Sequence, residues 1–391
     1  FDAFVVKINA AGTAFEYARF IGGSNDDNGY DIAVDSMGSA YVTGDTYSSA
    51  DTFPVTVGPD LEFNSDYDAF VAKLGPDGVL LYAGYIGGIE SDHGRSIAVD
   101  ESGNAYVTGD TYSAKDTFPV KTGPDTEFNG MSDAFVVKVN NTGMMLDYAG
   151  YIGGTRDDHG VSIAVDEYHN AYVTGYTDSN LGFPVTDWPA SLPYSGSYDA
   201  FVAKVNGYGT TLVYSGYMGG ANGDYGSGIA VDSCGNVFVT GSTESADFPL
   251  VGELDTTING DISPFVAKIS ENIDSDCDGV IDSIDNCDYV ANPEQEDADG
   301  NGVGDACPTP DAGTGVDGPV DWKDGGSQQR DGAGVDDPDS MRDAPLDVPK
   351  IDAGVKAHAA EELYGCMVAR AVTRGGTSCW DLLLLAASAA C

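Results

Sequence analysis

DAFVAKLGPDGVLLYAGYIGGIESDHGRSIAVDESGNAYVTGDTYSAKDTFP, residues 68–119, is one copy of a phrase that recurs along the chain. Its opening DAFV starts at Asp2, Asp68, Asp133 and Asp199, at intervals of 65 or 66 residues, and a worn fifth copy, PFVAK, starts at Pro264. The first four copies carry the same landmarks in the same order. A glycine pair closes an aromatic stretch at Gly22-Gly23, Gly87-Gly88, Gly153-Gly154 and Gly219-Gly220. IAVD begins at Ile32, Ile97, Ile163 and Ile229, and a VTG strand ends at Gly44, Gly109, Gly175 and Gly241. A Phe-Pro step follows at Pro54, Pro119, Pro184 and Pro249.

Self-similarity at a fixed period signals a repeat architecture. Each copy offers four short runs rich in aromatic and β-branched residues, separated by turn residues. IAVD and AYVTG are joined by short loops such as Glu101-Ser102-Gly103-Asn104, the signature of a hairpin. Alanines and glycines within the strands let sheets approach closely. Four-stranded units placed radially make a β-propeller. The period exceeds that of common propeller repeats, and the Phe-Pro loop, for example residues 53–67, accounts for the excess.

The phrases DAFVAK, YxGYIGG, SIAVD and GNAYVTG resemble the bacterial SBBP repeat over residues 1–270. The resemblance implies an all-β propeller of four-stranded blades. Five DAFV-like strands and four of each other type make four blades and one strand over. The chain therefore starts in mid-blade. Either further blades precede Phe1 or the ring closes at an irregular seam. A parallel β-helix or an open stack of sheets is the alternative. No signal peptide opens the chain and it does not begin with Met, so a missing or processed N-terminus is expected.

Between glycine pair and IAVD lies an acidic loop: Asn25-Asp26-Asp27-Asn28-Gly29, Ser91-Asp92-His93-Gly94, Asp157-Asp158-His159-Gly160 and Gly223-Asp224-Tyr225-Gly226. Repetition would set these carboxylates around one mouth of the ring. They read as turn caps that accept backbone N–H bonds, in preference to a cation or ligand site. His93 and His159 occupy the same place in successive copies and read as solvent-facing, in preference to a metal pair. His169 stands where other hairpins have glycine. Lys7, Lys73, Lys138, Lys204 and Lys268 read as exposed strand positions.

Composition bounds the partners. With 63 Asp and Glu against 17 Lys and Arg, the formal charge is −46. Such a surface repels nucleic acid and anionic lipid and attracts multivalent cations. The cysteines are Cys234, Cys277, Cys287, Cys307, Cys366, Cys379 and Cys391. Their odd number leaves at least one without a partner in the chain, and paired ones suit an oxidising compartment.

The text changes character in residues 271–307. Oxygen-bearing side chains recur at alternate positions: Asp274, Asp276, Asp278, then Asp282 and Asp285, with Gly279 at the sharp turn and Val280 offering its carbonyl. A second winding repeats the offsets with Asp297, Asp299, Asn301, Gly302, Val303 and Asp305. Calcium demands six to eight oxygens, and alternate residues on a curling loop point inward together. No flanking helix is readable, so the segment is not an EF-hand. DSDCDGVIDSIDNC and NPEQEDADGNGVGDAC resemble the thrombospondin type-3 repeat over residues 274–307. That resemblance implies calcium as cofactor. Its ligands would be Asp274, Asp276, Asp278, Asp282, Asp285, Asp297, Asp299, Asn301 and Asp305, and Cys287 and Cys307 would form a disulfide. Cys277 has no evident mate within the segment.

Residues 308–360, rich in Asp, Gly and Pro, bury too little apolar area to offset chain entropy and are expected to form a disordered acidic linker. Residues 361–391 hold Gly365-Cys366, a basic passage and Leu382-Leu383-Leu384-Leu385. They are similar to C-terminal sorting signals of myxobacterial surface proteins, which would make Cys366 the processed or lipid-modified residue and anchor the chain to the envelope. A small helix closed by disulfides among Cys366, Cys379 and Cys391 is the alternative.

The expectation is a non-enzymatic, calcium-binding bacterial protein, secreted or on the cell surface. Its propeller would act as a binding, adhesion or scaffold head for an extracellular protein or glycan. No nucleophile–base pair, HExxH or phosphate loop is present. A carbohydrate-active propeller enzyme and a purely structural spacer are the alternatives.

Overall fold

The computed structural model describes residues 1–251 except 65 and 187–190, residues 261–270, most of 276–307, and the backbone of 382–384. The expected linker, Cys366 and nearly all of the C-terminal segment lie outside the described residues. The described residues contain strands and turns and no helix. The seventeen strands expected from the repeats form at their landmarks. They are β1 (Ala3–Ile8) and β2 (Phe15–Ile21); β3 (Asp27–Val34), β4 (Ala40–Thr46), β5 (Asp68–Leu74) and β6 (Leu80–Ile86); β7 (Asp92–Val99), β8 (Ala105–Thr111), β9 (Asp133–Val139) and β10 (Leu146–Ile152). They continue as β11 (Asp158–Val165), β12 (Ala171–Thr177), β13 (Asp199–Val205) and β14 (Leu212–Met218), and end with β15 (Asp224–Val231), β16 (Val237–Thr243) and β17 (Ser263–Ile269). A further short strand, β18 (Leu382–Leu384), pairs with β1.

The antiparallel sheets are β3-β4-β5-β6, β7-β8-β9-β10, β11-β12-β13-β14 and β15-β16-β17, with β18-β1-β2 beside them. These are propeller blades, and their phase differs from the sequence phrase. A blade opens on the IAVD strand, so DAFV is its third strand. The Phe-Pro loop therefore connects two strands of one blade, and the short acidic loop carries the chain between blades. The first strands β3, β7, β11 and β15 pack against one another in succession. Hydrogen bonds tie them: Ser96 Oγ donates to Asp31 Oδ2 at 2.6 Å, and the amides of Ile163 and Ile229 donate to Ser96 and Ser162 hydroxyls, each at 3.3 Å.

Each recurrent residue has a physical task. Phe53, Phe118, Phe183 and Phe248 fold back from the Phe-Pro loops onto Phe70, Phe135, Phe201 and Phe265, with ring centroids 4.6–5.4 Å apart. Tyr85, Tyr151 and Tyr217 lie against the first three of these loop phenylalanines and donate their hydroxyls to the carbonyls of Ser48, Ser113 and Ser179. Asp35, Asp100, Asp166 and Asp232 cap the hairpin turns, accepting the amides of Ser39, Asn104, Asn170 and Asn236 at 2.8–2.9 Å. His169 takes the left-handed conformation, φ 66°, that Gly38, Gly103 and Gly235 adopt in the equivalent turns.

The repeated lysines depart from expectation. Lys7, Lys138 and Lys204 are buried, and Lys268 alone of the five is open to solvent. Cross-strand register contributes, although Lys268 keeps it opposite Phe238 and stays open. Lys73, Lys138 and Lys204 lie directly across from Tyr41, Tyr106 and Tyr172, and each ammonium sits 4.6–5.1 Å from that ring centroid. Their stems cover aromatic surface while the cation lies over the ring face.

The VTG glycine answers a bulge. The first strand shifts register between Gly29 and Asp31, Gly94 and Ser96, Gly160 and Ser162, and Gly226 and Gly228. The bulge drives a carbonyl onto the second strand, so a Cβ at Gly109 would lie 1.7 Å from His93 O. Gly109→Ala is expected to cost about 3 kcal/mol, because backbone must move. Gly12→Ala should cost only about 1 kcal/mol, from strain at φ 68° in open space. Urea unfolding of the two variants compares them.

Candidate functional site

The acidic loops do what capping predicts, and more. Asp27, Asp92, Asp158 and Asp224 are buried. Each accepts the amide of the second glycine of the preceding pair, at 2.6–2.7 Å, and a serine hydroxyl from beyond the second strand, Ser48, Ser113, Ser179 or Ser245. Asp27, Asp92 and Asp158 also receive the hydroxyls of Thr46, Thr111 and Thr177. These carboxylates are committed to the joint and do not face a ligand.

The neighbours of these aspartates project from the opposite face of their strands. Asn28, His93, His159 and Tyr225 stand one residue further along the first strands, and the bulge re-aims Tyr30 and Arg95. Register places Asp45, Asp110, Tyr176 and Ser242 opposite that first set. One end of the array is charged. Asp45 accepts Asn28 Nδ2 at 2.9 Å and, across a blade boundary, faces His93 Nδ1 at 2.6 Å. Asp110 accepts Arg95 Nε at 2.8 Å and forms a looser ion pair with His159 Nδ1 at 3.7 Å. Arg95 also lies over the Tyr30 ring. Burial would raise the Asp110 carboxyl, but His159 and Arg95 outweigh it and hold it at about 2. Burial, reinforced by Asp45, pushes the Tyr30 phenol up.

The other end is aromatic. Tyr176 makes edge contacts with Tyr198 at 5.6 Å and Tyr225 at 5.2 Å, Tyr198 and Tyr225 lie 5.8 Å apart, and His159 packs on Tyr176 at 4.7 Å. Burial raises all three phenols. Each of the three keeps part of its surface exposed. The two histidines are thus not loop residues turned to water. Their side chains are only 19% and 18% exposed, because each is held by a carboxylate of the preceding blade. Repetition of the sequence hid the asymmetry, since the second-strand partner changes from Asp45 and Asp110 to Tyr176 and Ser242.

In the acidic segment, Cys287 is bonded to Cys307 and Cys277 to Cys234. The second bond fastens the segment to the β15–β16 hairpin, whose turn holds Cys234. Asn286 organises the fold. Its amide donates to Gln295 Oε1, its side chain donates to Gln295 O and accepts Asn292 Nδ2, and its carbonyl accepts Gly304 N at 2.8 Å. Asp285 Oδ1 accepts Cys287 N and Gln295 Nε2, both at 2.8 Å, while the buried Oδ2 has no donor. Asp297 accepts Gly300 N and Gly302 N at 2.8 and 2.9 Å, curling the second winding. Gly300 is left-handed at φ 71°, and Cys277, at the same offset in the first winding, is left-handed at φ 66°. Asp276, Val280, Asp282, Asp285, Asp297, Val303 and Asp305 are among the described residues, whereas Asp274, Asp278, Asp299 and Asn301 lie outside them. Among the described residues no three His, Cys, Asp or Glu side chains converge as a metal-binding group. The donor set, all oxygen, nonetheless fits a hard cation, and the unpartnered Asp285 Oδ2 is the atom such an ion would satisfy.

The beta-propeller repeat family model matches residues 16–49, 81–114, 147–182 and 213–249, and the thrombospondin type 3 repeat model matches residues 260–295. The second winding lies beyond the latter match. The regulatory protein FlaEY of Caulobacter vibrioides is 25% identical over 282 residues, covering 70% of this chain. The match spans only 29% of that relative's length. Among solved structures, a protein of unknown function from Bacteroides caccae aligns with TM-score 0.32 and 11% identity over 61% of this chain and 65% of its own. A gluconolactonase from Xanthomonas campestris aligns with TM-score 0.29 and 13% identity over 60% and 61%.

Asp110→Asn removes the acceptor charge that Arg95 and His159 share. The variant is expected to lose about 2 kcal/mol, the value of a hydrogen bond to a charged group. A lower urea midpoint at unchanged slope would show it.

Proposed function

We propose that the chain is a secreted or surface-displayed bacterial binding module without catalytic activity. Its propeller engages an extracellular protein or glycan through the array that runs from Asp45, His93 and Arg95 to Tyr176, Tyr198 and Tyr225. The observation that carries this reading is the asymmetry of that array. Structural devices repeat from blade to blade, whereas these positions diverge while the joints around them stay constant. Partly exposed tyrosines beside fixed hydrogen-bonding groups supply apolar contact at low entropic cost, which is how binding surfaces gain affinity.

The acidic segment serves as a calcium-dependent base for that head. Its windings have almost no apolar core, so metal and disulfide hold them. The weak affinity of extracellular calcium modules suits a compartment where the ion is abundant. The two disulfides and the −46 charge fit the same compartment. The acidic linker and the end of the chain, with Cys366, would carry the head away from the envelope and hold it there.

Two measurements test the two parts separately. Titration calorimetry of the disulfide-intact chain should register calcium uptake, weakened at least about tenfold by Asp285→Ala. Chelator should open residues 276–307 to protease while the propeller stays resistant. Absence of uptake removes the calcium reading. Arrays of glycans and of extracellular proteins should yield a ligand whose affinity drops about tenfold in Tyr176→Ala and Tyr225→Ala. A chain that captures nothing on either array is a structural spacer.

A further inference from the structure

Three joints of the propeller each bury two aspartates side by side. At the first, Asp68 and Asp92 flank Gly87, where a Cβ would lie 2.6 Å from Asp68 Oδ1 and 2.9 Å from Asp92 Oδ2. At the third, Asp199 and Asp224 flank Gly219, with Asp199 Oδ1 and Asp224 Oδ2 both 2.9 Å from such a Cβ. At the second, Asp133 Oδ1 comes within 2.5 Å of the Gly153 position, and Asp158 occupies the place of Asp92. All six residues have zero solvent exposure.

The two members of a pair are provided for unequally. Asp92 and Asp158 each receive one amide and two hydroxyls, and Asp224 receives one amide and one hydroxyl at Oδ2 while its buried Oδ1 has no donor. Asp68, Asp133 and Asp199 each accept at Oδ2, from the amides of Asn64, Asn129 and Ser195, and their buried Oδ1 atoms have no donor. Hydrogen bonds to the charged form favour Asp92 and Asp158 as carboxylates, whereas Asp68, Asp133 and Asp199 receive backbone amides only.

Among the described residues, none that faces Asp68, Asp133 or Asp199 is a countercharge. Asp68 faces Asp92, Asp60 and Tyr85; Asp133 faces Asp158, Asp125 and Tyr151; Asp199 faces Asp224, Tyr194 and Tyr217. His93 is adjacent to Asp92, which it favours as the anion, and Asp178 faces Asp158. Two like charges buried together without a cation cost several kcal/mol, and a proton is the smallest ligand that removes the cost.

We propose that these three joints are internal proton-binding sites, in which Asp68, Asp133 and Asp199 are neutral acids at pH 7. Each lies beside the better-provided carboxyl of Asp92, Asp158 or Asp224. Burial agrees, raising Asp68 and Asp133 to about 8 and Asp199 to about 7. Asp92 and Asp158 are also raised by burial, to about 7 and about 6, below Asp68 and Asp133, so at these two joints the first proton favours the acid with fewer donors. The folded chain then holds more protons than the unfolded chain above about pH 4. Stability from these sites is complete below that value and is lost as pH rises through 7 to 8. The fourth pair is a natural control. Asp2 and Asp27 flank Gly22 with 2.8 Å to each, but Asp2 is exposed.

Infrared spectroscopy of the full chain at pH 7 tests this directly. The folded protein should show a carboxylic-acid C=O band, weakened in Asp68→Asn, Asp133→Asn and Asp199→Asn and unchanged in Asp2→Asn. The thermal midpoint of the parent should fall between about pH 5 and 8, and the triple Asn variant should be flatter over that range. Should a variant not fold, the parent spectrum still decides. Absence of the band in the folded parent overturns the proposal. So does a band that emerges only after chelation, which would mean that a metal ion fills the joints.

Discussion

The propeller depends on the buried carboxylate that opens each blade's first strand. Between blades the chain has only a few residues in which to reverse from an outer strand to the next inner one. Asp27, Asp92, Asp158 and Asp224 close that reversal by gathering a glycine amide and one or two side-chain hydroxyls onto a single side chain. The glycine pair belongs to the same device. A side chain at Gly22, Gly87 or Gly219 would run into the two carboxyls, so the joint requires both the acid and the absence of a Cβ. A polar knot of this kind is expensive to bury and stable only when its acceptors are filled.

Packing follows from the joint. Once first strands are placed against one another, the bulge after each acid brings a carbonyl against the VTG glycine and turns Tyr30 and Arg95 outward. The same offset puts Asp45 and Asp110 within reach of histidines from the following blade. The asymmetric array is therefore a by-product of scaffold geometry: rigid strands present side chains whose backbone positions repeat and whose chemistry does not. Divergence is confined to residues that the joint does not use.

The acidic segment follows a different logic. Asn286, Asn292 and Gln295 form a backbone-directed network that needs no apolar core. Cys277 takes over a left-handed position that glycine fills in the second winding, and its bond to Cys234 joins the first winding to the last hairpin of the propeller. Events in that winding are thereby mechanically connected to the β15–β16 hairpin.

Much of this was legible in residue order. A fixed period with DAFV, the glycine pair, IAVD and VTG determines strand content, strand number and the hairpins, because turn chemistry and alternation act locally. The thrombospondin type 3 pattern of the acidic segment is also legible, since its oxygens are spaced along a single loop. Tertiary structure decided the rest. Blade phase depends on which strands pair, so DAFV opens the repeated phrase yet forms the third strand of a blade. The lysines looked exposed because their burial comes from a tyrosine on a neighbouring strand. Cys234 and Cys277 are 43 residues apart and meet only in the folded chain. The paired aspartates at Gly87, Gly153 and Gly219 are the extreme case. In sequence they are ordinary acidic residues more than twenty positions apart, and only close packing withdraws them from water and makes a proton part of the structure.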